Sequence, residues 1–177
     1  MTAIVTPEAV VGTTIAFSYI LFGNAITQSF MGVPALLVDF PKPSSPGHAE
    51  RARLLGRQWP VFWAVGNVFF RPISTLGIFG YGYGAWCARA GSPGVRLGDW
   101  RWYAVAAACH LATVVHSAVN MQPINEKLDA LSAGGKVEAS RAESLARNWI
   151  SYNTVRLITP VVAGSLALWQ TLKAVAI

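Results

Sequence analysis

Four apolar runs, approximately residues 9–38, 61–88, 102–121 and 149–175, decide what this chain can fold into. A helix needs about 20 apolar residues to cross the hydrocarbon core of a bilayer, and every run supplies that length. Within lipid each backbone N–H and C=O must be paired inside its own segment, which leaves helices or a closed barrel. Runs this long fit helices. The expected fold is all-α: an integral membrane four-helix bundle with kinked spans, in a single domain over residues 1–177.

Composition agrees with that reading. Charged residues make up 12% of the chain, against about 25% in ordinary soluble domains. The net charge of +6 does not form a basic stripe with interleaved aromatics, so nucleic acid is not expected as a partner. The basic residues sit in the connectors instead. Lys42, Arg51, Arg53, Arg57, Lys127, Lys136, Arg141 and Arg147 fall in the first and third, against Arg89, Arg96, Arg101 and Lys173 in the second connector and at the C-terminal end. By the positive-inside rule both termini then lie outside or in a lumen. An endoplasmic-reticulum or other internal membrane is the expected location if the source is fungal. No basic region precedes the first run, so it reads as a span that is kept. Cys87 and Cys109 lie inside apolar runs with no metal-type spacing, and read as small buried hydrophobes.

Between the first two runs, a Pro-rich loop with an exposed His48 leads to a short interfacial helix over residues 49–59. Pro123 is expected to stop the third run, with Asn125 capping a short helix after it. Gly134-Gly135 then breaks that helix.

The spans carry polar residues that are costly in hydrocarbon and therefore point to function. Asn24 and Gln28 are four apart in the first run, as are Asn67 and Arg71 in the second. In the third, His110, Thr113, His116, Ser117 and Asn120 fall within a helical sector of about 120°. Asn153 and Arg156 share a face of the fourth. In an up-and-down bundle several of these reach a similar depth, near the ends joined by the first and third connectors. No Asp or Glu lies within the spans, so Arg71 and Arg156 lack an intramembrane carboxylate. Kink carbonyls beside Pro72 and Pro160 are one set of partners; an anionic or enolisable ligand is the other. A His beside such cations can remove a proton, while Arg and Asn stabilise the oxyanion that results. His110 and His116 are six apart, a poor spacing for two ligands on one metal. The glycines at 77, 80, 82 and 84, alternating with Tyr81 and Tyr83, suit close helix packing or a flat slot for an aromatic ring.

Met121-Gln122-Pro123-Ile124-Asn125 with Leu128, then Trp149, Asn153 and Arg156, fit the patterns M-x-P-x-N-x-x-L and W-x-x-x-(N or H)-x-x-R. In these motifs and in its four-span plan the chain resembles the anthrone oxygenase family of polyketide pathways. The resemblance implies a monooxygenase that converts an anthrone to an anthraquinone with dioxygen, without flavin or haem. It implies His116 as base, with His110 as the other candidate, and Arg156, Asn153 and Asn120 around the oxyanion. Trp149, Tyr81 and Tyr83 would stack on the tricycle, with Asn24, Gln28, Asn67 and Arg71 as further substrate contacts. Two other readings stay open: a non-catalytic accessory or lipid- or metabolite-binding subunit, and an oxidase holding a metal at His110 and His116. Aromatic polyketide, dioxygen and membrane lipid are the expected partners, and a homo-oligomer is compatible.

Overall fold

The computed structural model describes residues 6–91, 94–134 and 139–176, and among these it contains helices and no strand. Gly135 and Lys136 lie outside the described residues. Four long helices account for nearly everything: α1 Pro7–Leu36, α2 His48–Ala90, α3 Trp100–Ala133 and α4 Ala142–Val175. They contain 30, 43, 34 and 34 residues, and each is long and apolar enough to cross a membrane. At about 1.5 Å per residue all four also project beyond a hydrocarbon core of about 30 Å.

The helices stand around a square, α1 and α3 each packing against both α2 and α4. Local chemistry sets their ends. The Thr6 hydroxyl accepts from the Ala9 N–H, with Pro7 in the first turn of α1, and Asp99 accepts from the Arg101 N–H at the start of α3. Gly91 and Gly134 close α2 and α3 with φ of 61° and 84°, a conformation that favours glycine. At one end of the bundle Glu8 accepts from the Arg96 N–H and Gln170 donates to the Leu97 carbonyl. At the other, Asn125 joins Trp59 to Trp149. Alternate helices therefore run in opposite directions.

The bundle is apolar on the outside. Phe79, Trp86, Leu111, Val119 and Leu172 are all at least half exposed, as lipid-facing side chains are. Small residues face inward. A Cβ added at Gly77 would overlap the His110 ring, one at Gly80 would overlap Thr14, and one at Gly84 would meet the Val11 methyl at 2.6 Å. The glycine face of α2 is thus filled by protein side chains, and it offers no slot for a flat ligand.

Three helices each contain one five-residue π turn: Gln28–Gly32 in α1, Gly66–Phe70 in α2 and Ser117–Met121 in α3. Each turn ends two residues before a proline, Pro34, Pro72 or Pro123. Proline cannot donate to the carbonyl four residues back and collides with it; a widened turn lets the helix continue. This corrects the expected stop at Pro123. The helix runs on to Ala133, and Asn125 sits inside it rather than capping a new one. The segment over residues 49–59 is likewise not a separate interfacial helix, because it continues through Pro60 into the span. Its first turns are held by packing: Gly56 lies directly against the backbone of Leu131 and Ser132.

His48 differs most from expectation. It is buried, with Nδ1 2.6 Å from the Pro41 carbonyl oxygen and Nε2 2.8 Å from that of Ala139. The ring ties the first connector to the chain ahead of α4.

The apolar core is in two parts. One cluster holds Val33, Leu55, Trp59, Met121, Leu128 and Trp149; the other holds Val11, Ile15, Tyr81, Tyr103, Ala106 and Ala163. Buried Ser18, Ser29, Ser74, His110, Thr113 and Asn153 belong to neither cluster. Together they make a polar belt across the bundle.

Candidate active site

Residues of the three π turns and of α4 line one cavity. Leu21 and Gln28 line it from α1, and Phe62, Trp63, Gly66, Asn67, Phe70, Arg71 and Ser74 from α2. Thr113, Val114, Ser117, Met121, Gln122 and Asn125 of α3 face Trp149 and Arg156 of α4. The volume is about 70 Å³, room for dioxygen or several waters. On the α2 side Arg71 is exposed and Asn67 and Phe70 half-buried, so the cavity opens there.

Its electrostatics are one-sided. Two guanidiniums line the cavity and no lining residue is Asp or Glu. Among the described residues neither Arg71 nor Arg156 has an ion pair, and the one side-chain contact recorded for Arg156 is Nη1 at 3.9 Å from Met121 Sδ. A half-buried cation with no carboxylate and only a soft sulfur as partner is poorly compensated. Further polar atoms in the wall are open as well: Gln28 Oε1, Trp63 Nε1 and Ser74 Oγ are buried without a hydrogen-bond partner. Groups left in that state ask for water or a ligand.

The sequence candidates divide into three groups. Gln28, Asn67, Arg71, Trp149 and Arg156 line the cavity. His110, Tyr81 and Asn153 are fully buried beside it. His110 Nδ1 lies 3.2 Å from the Ser74 carbonyl oxygen and Nε2 2.9 Å from Ser18 Oγ, which lies 2.8 Å from the Tyr81 hydroxyl. With a neutral ring, Nδ1–H donates to the carbonyl, Tyr81 donates to Ser18, and the single Ser18 proton is shared between Nε2 and the Thr14 carbonyl oxygen at 3.2 Å. His110 is thus fixed just behind the wall residue Ser74. Asn153 donates through Nδ2 to the Ala25 carbonyl and Ser29 Oγ, bracing the first residues of the α1 π turn.

The third group lies elsewhere. His116 occupies the α3–α4 seam, where the imidazole meets the Tyr152 carbonyl and stacks on its ring at 6.0 Å, and the exposed Asn120 lies beside it on α3. Tyr83 is an exposed residue near Trp86, and Asn24 is half-buried beside the cavity without lining it. His110 and His116 therefore face different surroundings. Among the described residues no three His, Cys, Asp or Glu side chains gather at one point.

Trp63, Ser74, Gln122 and Asn125 line the cavity without having been singled out as contacts, and Thr113 and Ser117 of the polar sector of the third run line it too. Asn125 had a signal, its place in the M-x-P-x-N motif. The two motifs in fact build one wall: Asn125 Oδ1 accepts from Trp149 Nε1 at 2.8 Å and from Trp59 Nε1 at 3.2 Å, and Met121 touches Arg156. Leu128 is fully buried in the cluster beneath.

The family model for anthrone oxygenase matches residues 59–166, a stretch containing every cavity residue except Leu21 and Gln28. The chain is 26% identical over 159 residues to monooxygenase hypC of Dothistroma septosporum, covering 88% of this chain and 78% of that protein. No solved structure matches. On the family match, this four-span protein belongs to the anthrone oxygenase family and is a monooxygenase-like enzyme.

Proposed function

We propose that this enzyme oxidises an anthrone-type tricycle to the anthraquinone, and that the cavity receives the reacting edge of the substrate as its anion. One observation carries the proposal: two guanidiniums face the cavity with no carboxylate in its lining. The ring methylene loses a proton to water at the open side, and the charge spreads onto the ring oxygen. Arg156 and Arg71 stabilise that oxyanion, which makes the proton easier to lose.

The carbanion passes one electron to dioxygen. The resulting radical and superoxide combine through a new carbon–oxygen bond, and protonation gives a hydroperoxide. Loss of the second methylene proton, with cleavage of the O–O bond, forms the new carbonyl and releases water. Substrate and dioxygen become quinone and water, the substrate supplying all the electrons. No flavin, haem or metal enters this scheme. His110 acts behind the wall as a positioning residue, holding α2 at Ser74.

The test is aerobic turnover of an emodin-type anthrone by the full chain in detergent, with autoxidation subtracted. Removing one preorganised oxyanion donor typically costs about 10²–10³ in kcat. Arg156→Gln is expected to lose about that much, and Arg71→Gln less, because Arg71 is more exposed. Folded variants that turn over like wild type would overturn the oxyanion role. Loss of turnover on chelation would favour a metal oxidase, and a folded wild type with no turnover would favour a binding subunit.

A further inference from the structure

Asn125 carries the furthest inference. Its carbonyl oxygen accepts two indole N–H groups, from Trp149 at 2.8 Å and from Trp59 at 3.2 Å. The two indoles meet edge to face with centroids 5.4 Å apart, and both Trp59 and Trp149 are buried. That arrangement fixes the amide. Turned over, its NH₂ would face two N–H donors and both bonds would be lost. The Nδ2 group is therefore committed as a donor, and it has no acceptor among the described residues. Asn125 lines the cavity together with Arg156.

We infer that Asn125 is a substrate-contacting residue, whose amide NH₂ donates to the anionic oxygen that Arg156 also stabilises. This rests on the anion-binding proposal above and adds a directional donor to it. A guanidinium on a flexible stem supplies charge, whereas an amide locked by two tryptophans supplies orientation. The shared M-x-P-x-N and tryptophan motifs then have one purpose: they aim a single N–H pair into the cavity.

Asn125→Asp separates this role from a structural one. The carboxylate still accepts from both indoles, so an Asn125 that only ties helices together predicts an unchanged protein. A contacting donor predicts a folded protein that repels an anion. The probes are an ionised hydroxyanthraquinone and its neutral O-methyl ether, titrated against tryptophan fluorescence in the detergent-purified full chain. We expect the variant to bind the ionised probe at least about 10-fold more weakly, and the ether within about twofold. Equal effects on both probes, or none on either, would overturn the inference.

Trp149→Phe provides a second test if the Asp variant does not fold. It removes one of the two anchors, and it is expected to weaken the ionised probe selectively; unchanged discrimination would overturn the inference. Probe binding is read without turnover, so the two proposals fail separately. Wild type that binds the anion selectively but does not turn over would refute the oxygenase mechanism alone.

Discussion

Nδ1 of His116 lies 3.0 Å from the side-chain amide nitrogen of Asn120, one helical turn further along α3. The other ring nitrogen is 2.9 Å from the Tyr152 carbonyl oxygen and must donate to it. A neutral Nε2–H tautomer accepting from Asn120 satisfies both contacts. His116 thus has both nitrogens occupied, in the seam between α3 and α4 and outside the cavity.

His116→Ala is accordingly expected to keep anthrone turnover within about threefold of wild type, with a loss of at most about 1–2 kcal/mol in stability, the range for an interhelical hydrogen bond in a membrane. Parallel rate and thermal-melting measurements on purified protein check this. A rate near the autoxidation background, in a variant that melts normally, would return His116 to the chemistry.

The contact between Gly77 and His110 supports a stability prediction. An added methyl at Gly77 overlaps an imidazole already fixed by Ser18 and the Ser74 carbonyl, so the ring has little freedom to move aside. Overpacking of this kind costs about 1–3 kcal/mol. Gly82, five residues along the same helix, has nothing within 4 Å of its would-be Cβ. Gly77→Ala should melt several degrees below wild type while Gly82→Ala is neutral or slightly stabilised. Equal melting temperatures would mean that α2 and α3 are not in close contact at His110.

The four spans were legible because length and hydropathy in lipid admit few alternatives, and the unpaired Arg71 and Arg156 were legible because carboxylates are missing from all four runs. The facing of the third helix was not. A 120° sector reaches from the bundle centre to a neighbouring seam, so His110 and Thr113 turn inward while His116 meets Tyr152 of α4 and Asn120 is exposed. The π turns were hidden too: a proline announces a disturbed helix, but it does not say whether the helix ends or widens. Trp63 and Ser74 carry no sequence signal, since only the assembled wall shows their polar atoms to be open. His48 was misjudged for a similar reason. One of its partners is Ala139, 91 residues away, and no local pattern reports that contact.

That long-range contact supports the last prediction. A neutral imidazole carries one N–H and satisfies one of the two carbonyls of Pro41 and Ala139, whereas a protonated ring satisfies both. The ring also packs edge-on against Phe40 at 5.6 Å, so truncation removes packing as well as hydrogen bonds. Leaving a buried acceptor unpaired costs about 1–3 kcal/mol, and His48→Ala should lower stability by that order. Gln retains a single donor group that reaches one carbonyl, so His48→Gln should fall between Ala and wild type. His48 does not line the cavity, and the rate per folded molecule should stay near wild type in both variants. Thermal melts read alongside turnover decide the matter: an Ala variant as stable as wild type would show that the first connector is not held through His48, and a selective loss of rate would place this latch in communication with the cavity.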